Sequence, residues 1–227
     1  MYTPKWFAEK DAELLAACIR AWPLATIVEQ VQGRLDANHI PLLLVQSGTE
    51  QILMGHAPKA NPIGDDVPEG KPVLVIFSGP TAYITPSWLP TKKEHGRVVP
   101  TWNYDVIHVH GVMRIVDDPV WVRGQVEALT RQQEGTREHP WAVSDAPDDY
   151  IASNLQRLKG IEIRIASIEG KTKASQNQPE VNRRGVLEGL KSAGSAAAVA
   201  VERALLRSTD EADGREKTND ERGDSPR

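Results

Sequence analysis

Four stretches of the chain carry side chains whose types and spacing suit the binding of a small molecule. The densest is Pro100-Thr101-Trp102-Asn103-Tyr104, which opens the alternating run from Val106 to Ile115. Ile107, Val109, Met113 and Ile115 fall on one face at period two, and His108, His110 and Arg114 on the other. That is the pattern of a half-buried strand. An indole set between two hydrogen-bonding side chains at the mouth of such a strand suits a planar ligand with polar edges. The competing reading is a core anchor, the commoner use of a Trp at a strand entrance.

The other three stretches add cations and neutral donors. Gly55-His56-Ala57-Pro58-Lys59-Ala60-Asn61-Pro62 follows a short apolar run and sets His56, Lys59 and Asn61 in a proline-restrained loop, where an ammonium and several donors suit an anion such as a phosphate. Pro86-Ser87-Trp88 closes a short strand flanked by prolines, which predicts an edge or strand end for Ser87 and Trp88. Gly170-Lys171-Thr172-Lys173-Ala174-Ser175-Gln176-Asn177, if extended, projects Lys171, Lys173, Ser175 and Asn177 to one side. Two like charges at i and i+2 predict an opposing anion nearby. Each stretch also has a plain reading: a solvated lysine, an indole over an open sheet edge, a basic rim that blunts aggregation. His108 and His110 share a face, but no third ligand stands at a spacing that completes a metal site, so none is expected.

The elements that must position these residues are mainly β with flanking helices. Glu9 to Ala21 predicts a helix from Leu14, Leu15, Cys18 and Ile19 at three- and four-residue spacing, ended by Pro23. Short apolar runs at 25–28, 41–45, 51–54, 73–77, 82–84 and 107–116 predict strands of an antiparallel sandwich or barrel. Asp117-Asp118-Pro119 starts a helix with a Val122, Val126, Leu129 stripe, and Asp145-Ala146-Pro147 starts another that Gly160 closes. Ile161 to Ile168 predicts a strand returning to the sheet. Residues 1–190 are expected to form one domain. Residues 191–227 are expected to be an Ala-rich and then charged tail, partly disordered, since Ser208 to Arg227 has no large apolar residue.

A length of 227 residues allows one substantial domain with appendages, and the formal charge of −4 lacks the basic stripe of an autonomous DNA reader. One cysteine, Cys18, excludes a disulfide framework within the chain. No run approaches the ~20 apolar residues needed to span a bilayer, so the expectation is a cytoplasmic protein with no membrane partner.

Taken together, Met1-Tyr2-Thr3-Pro4, Gly55-His56 with Ala60-Asn61-Pro62, Phe77-Ser78-Gly79-Pro80 with Tyr83 and Pro86-Ser87-Trp88, Pro100 to Tyr104, and Gly170-Lys171 with Lys173 and Ser175-Gln176-Asn177 resemble the PaiB family, described as FMN-binding negative transcriptional regulators. The likeness runs in order from Met1 to about residue 190. It implies an FMN-binding split β-barrel assembled as a homodimer, with His56, Lys59 and Asn61 on the FMN phosphate. Ser87, Trp88, Thr101, Trp102 and Asn103 are then expected beside the ring or ribityl chain, and Lys171, Lys173, Ser175 and Gln176 reaching the same cofactor. DNA enters as a partner by the family label only. The chain departs from the family pattern at Leu89 and Ile63-Gly64, where aromatic residues are often found. The alternative on the same barrel is a flavin- or haem-dependent oxidoreductase, with His108 or His110 meeting substrate or iron.

Overall fold

The computed structural model describes residues 1–66 and 70–206. They divide into two compact units. One comprises Met1, Lys10–Ser78 and Ile107–Gly170; the other comprises Tyr2–Glu9, Gly79–Val106 and the described residues from Lys171 onward. The strands are β1 (Ala8–Glu9), β2 (Leu24–Val31), β3 (Arg34–Pro41), β4 (Leu43–Ser47), β5 (Glu50–Pro58), β6 (Lys71–Ile84), β7 (Thr101–Val116) and β8 (Leu158–Lys173). They form one sheet in the order β3-β2-β6-β7-β8-β5-β4, with β1 added beside β8.

In the first unit, helix α1 (Ala12–Ala21) starts where Asp11 accepts from the Glu13 and Leu14 amides at 3.0 and 3.1 Å, and it buries Leu15, Ala16 and Ile19. β2 and β3 are a hairpin turned by Gln32 and Gly33 at φ 49° and 79°, the signature of a type I′ turn. The sequence pattern missed β3, whose Arg34 to Ala37 are all exposed, Leu35 included, as a sheet edge tolerates. Leu42, Leu53, Val75, Phe77, Ile107, Val109, Ile161 and Ile163 join α1 in a single core. Gly55 is needed there: a Cβ on it would lie 2.6 Å from Leu42 Cδ2 and 3.0 Å from the Pro41 carbonyl oxygen.

Two predicted strands, 73–77 and 82–84, are one strand, β6. Pro80 therefore sits inside a continuous strand rather than at its end. In the register that sets Thr26 opposite Ile76, β2 starts too late to reach Pro80, so the missing N–H interrupts no bond on that flank. The second predicted helix also ends early. Helix α4 (Asp148–Leu155) stops before Leu158, and Gly160 lies within β8 opposite His56 rather than closing a helix. Trp121 of α3 (Pro119–Glu134) occupies the space a Cβ on Gly160 would need, 2.4 Å from Cζ3.

Two lysines of this unit are buried. Lys71 Nζ lies 2.9 Å from Glu29, itself buried, and 2.6 Å from Asp66; Lys159 pairs with Asp65. The pairs to Asp65 and Asp66 tether the segment that follows Pro62.

The second unit is built on the ends of β6, β7 and β8 together with α2 (Thr91–His95), α5 (Glu180–Ser192) and a helix over 198–206. Ile84, Leu89, Ala174, Val186, Leu190, Ala197, Ala198 and Val201 form its core. Packing thus continues past residue 190, because the small side chains of the Ala-rich segment let its helix seat closely. The charged stretch from Ser208 to Arg227 lies outside the described residues.

Candidate functional site

β7 carries the chemistry, and its alternation runs from Trp102 to Arg114. Asn103, Asp105, Ile107, Val109, Gly111 and Met113 face inward; Trp102, Tyr104, Val106, His108, His110 and Val112 are half-buried or exposed. The aromatic entrance is therefore part of the strand, and its indole is turned to the open face instead of the core. Trp102 is 56 % exposed and Tyr83 of β6 49 %, with the two rings edge to face at 5.8 Å and 68°. Lys171 Nζ lies over the Tyr104 ring at 5.2 Å and donates to the Tyr2 carbonyl at 3.2 Å. Lys173 Nζ donates to Thr101 Oγ1 and, at 2.8 Å, to the Trp102 carbonyl. One face of the second unit thus joins exposed π surface to two ammonium groups, both contributed by the last turns of β8.

Asn103, Ser175 and Gln176 do a different job. Asn103 and Ser175, both buried, exchange hydrogen bonds at 3.0 and 3.2 Å, and Ser175 holds φ 61°, a left-handed conformation uncommon for a residue with a Cβ. The Gln176 amide donates to Thr172 O at 2.6 Å while its carbonyl accepts from Ala174 N at 2.7 Å. Together they fix the turn that ends β8, and with it the directions of Lys171 and Lys173. Trp88 packs its ring on α5, where a Cβ at Gly189 would fall 2.3 Å from the indole; Ser87 beside it is exposed.

His56, Lys59 and Asn61 lie in the first unit. The His56 Nδ1–H donates to Gln125 Oε1 at 2.7 Å, and the Gln125 amide reaches Met54 O at 3.4 Å. Lys59 pairs with Asp117 at 2.7 Å across an exposed gap, and the Asn61 amide donates to Asn38 of β3 at 2.9 Å. The expected loop is shorter than its motif: His56 lies within β5, only Lys59 and Asn61 follow its end, and each of the three has a separate protein partner. On the open face of the same unit, burial, the Met1 amino group and His110 hold the His108 imidazole below its ordinary range against the pull of Glu169.

Sequence reasoning overlooked Asp105, a buried carboxylate on the core face of β7, and the partners around it, Glu9, Thr172 and Arg203. The available signal was the alternation itself, since it places an acid where the following positions are apolar. Tyr83 and Tyr104 were visible in the motifs but were not assigned a contact.

The sheet order and the packed strands define a flavin-type split barrel, open at the sheet edges. Its fold is similar to the FAD and heme binding protein from Mycobacterium smegmatis (TM-score 0.53, 18 % identity, 73 % of each chain) and to the flavocytochrome Anf3 from Azotobacter vinelandii (TM-score 0.52, 13 % identity, 74 % of this chain and 69 % of that one). Residues 1–167 match the family described as "Putative FMN-binding domain", and the chain belongs to that family. It is 28 % identical over 190 residues to the protease synthase and sporulation protein PAI 2 of Bacillus subtilis, covering 84 % of this chain and 89 % of that one. It is 32 % identical over 231 residues to an uncharacterized protein of Emericella nidulans, covering 86 % and 92 %. Among the described residues no helix is long and apolar enough to cross a membrane.

Proposed function

We propose that this chain binds FMN on the open face of its second unit and acts, as a homodimer, in negative regulation of transcription. The observation that carries the reading is the exposed Tyr83–Trp102 pair beside Lys171 over Tyr104, in a chain of an FMN-binding family. The residues fit the cofactor: an isoalloxazine ring needs flat apolar surface with polar edges, and its phosphate tail needs cations, which Lys171 and Lys173 supply. When bound, the flavin supplies the redox chemistry, and the protein's part is to hold and orient it. Asn103, Ser175 and Gln176 serve by fixing the turn that aims the two lysines. His56, Lys59 and Asn61 enter as a second expected set of phosphate partners, to be tested by their own variant.

The formal charge of −4 favours regulation through a protein partner or a sensed flavin state over direct contact with DNA. Cytoplasmic residence follows from the same reading. The experiment is titration of the purified full chain with FMN, followed by flavin fluorescence. Binding at micromolar FMN, weakened about tenfold in Lys171→Ala through loss of one charge-assisted contact, is expected. Lys59→Ala tests the loop in the same way, and unchanged affinity in both variants removes the phosphate assignment.

A second reading, a flavin- or haem-linked oxidoreductase, is favoured by His108 and His110 on the open face of β7 and by the likeness in fold to a protein that binds FAD and heme. It predicts that haem or a reduced nicotinamide changes the absorption spectrum of the flavin-loaded protein.

A further inference from the structure

The first unit holds a cleft of about 420 Å³ between the last two turns of α3 and the segment 140–144. Trp141 and Pro140 supply its apolar wall. The indole is 46 % exposed, yet its backbone is held fast: the Trp141 amide donates to Glu134 Oε2 at 3.2 Å, and Val143, two residues on, is buried. An anchored segment therefore displays the ring to the cleft. Two carboxylates also line it, and each is answered by an arginine on or just past the same helix: Glu127 pairs with Arg123 at 2.9 Å and Glu134 with Arg137 at 3.1 Å. Asp145, next to the lining residue Ser144, accepts from the Ala142 amide at 2.8 Å. Arg131 lines the cleft between these acids in sequence, four residues from Glu127 and three from Glu134, and has no ion-pair partner among the described residues. Its guanidinium is a fixed positive charge whose planar fork matches a carboxylate.

We propose that this cleft binds a small aryl carboxylate, its carboxylate on the Arg131 guanidinium and its ring against Trp141 and Pro140. Thr130 and Ser144 line the same cleft and offer hydroxyl donors to the carboxylate oxygens. A cation would find no free acid there, because Glu127 and Glu134 are already paired. An inorganic anion would leave the indole uncovered, and a purely apolar molecule would leave Arg131 unanswered. A flat ring joined to one carboxylate meets both demands, since an indole face favours stacked or edge-on aromatic contact. The volume lies within the range of small-molecule pockets. All of these residues belong to the first unit, whereas Trp102, Lys171 and Lys173 belong to the second, so the proposal does not rest on the flavin reading.

The test is isothermal titration of the full chain with phenylacetate, 3-phenylpropionate and indole-3-acetate at millimolar concentration. Any acid that binds is followed by its primary amide, which keeps the ring and loses the charge, and by acetate, which keeps the charge and loses the ring. At least one acid is expected to bind, with its amide and acetate each at least about tenfold weaker. Arg131→Gln is expected to weaken binding about tenfold through loss of a charge-assisted pair, and Trp141→Ala about threefold or more through loss of the ring contact. Both side chains are exposed, and thermal melting checks that each variant folds; if Trp141→Ala does not, Arg131→Gln decides alone. Absence of binding by all three acids overturns the proposal, as does an amide or acetate that binds as tightly, or unchanged affinity in a folded variant. The acid is expected to bind equally with and without saturating FMN, and FMN uptake to be unaltered in Arg131→Gln. Loss of acid binding in the presence of FMN would place the acid on the flavin face and overturn the assignment to this cleft.

Discussion

A single carboxylate shows how position on a strand decides chemistry. Asp105 falls on the core face of β7 only because the alternation that was plain from Ile107 to Met113 continues upstream through Asn103. Polar side chains there break the binary pattern, which is why periodicity stopped short of them while still finding the open face of His108 and His110. Burial pushes the Asp105 carboxyl above its ordinary range, against the Thr172 hydroxyl and the Arg203 charge, with Glu9 adding to the rise. A carboxyl that holds its proton more tightly in the native chain makes stability fall as pH rises from the ordinary aspartate value of about 3.9 through the raised one. Asp105→Asn is therefore expected to melt higher than the parent at pH 7, with the gain shrinking toward pH 4; no gain at pH 7, or a gain independent of pH, would show that ionising the buried carboxyl carries no cost. Lys71 is the opposite case. It neutralises the buried Glu29 at 2.9 Å, so Lys71→Met strands that charge and is expected to cost about 3–5 kcal/mol in urea unfolding.

At the scale of elements, the strands that bury one apolar face were legible and those that do not were misread. α1, β4, β5 and the later part of β7 follow from apolar spacing, and α3 from its Asp118 cap on Val120 N. β3 escaped because an exposed edge needs no apolar alternation, and β6 was cut in two because Pro80 reads as a break unless the end of β2 is known. The second helix was extended over Leu158 to Gly160, residues whose partners in β5 lie about a hundred positions earlier. Glycines record such long-range demands better than propensity does. A Cβ at Gly111 would lie 2.5 Å from the Arg164 carbonyl oxygen of β8, so backbone must move to admit it. Gly111→Ala is expected to cost about 1–3 kcal/mol or more, the range of overpacked cores, whereas Gly33→Ala, with nothing within 4 Å, suffers only the strain of its φ of 79°. Equal losses in the two variants would refute the close approach of β7 and β8.

For the whole molecule, the sequence motifs converge on one family, and the fold gives them unequal roles. Trp102, Lys171 and Lys173 meet on an open face with Tyr83 and Tyr104; Asn103, Ser175 and Gln176 brace the turn behind them; His56, Lys59 and Asn61 are engaged by Gln125, Asp117 and Asn38. No periodicity distinguishes a residue that touches a ligand from one that aims its neighbour, since both are polar and both sit at strand ends. An exposed aromatic face on a sheet also asks for a partner surface, and light scattering at micromolar protein is expected to give twice the mass of one chain. The most direct measurement is the FMN titration of the full chain beside Trp102→Ala, an exposed substitution in the second unit. Quenching of flavin fluorescence at micromolar FMN, weakened about tenfold or more in the variant in line with the ~1–3 kcal/mol of a lost aromatic stack, is the predicted result. Protein that takes up no FMN, or a variant that binds it as tightly as the parent, would contradict the open face as the flavin site.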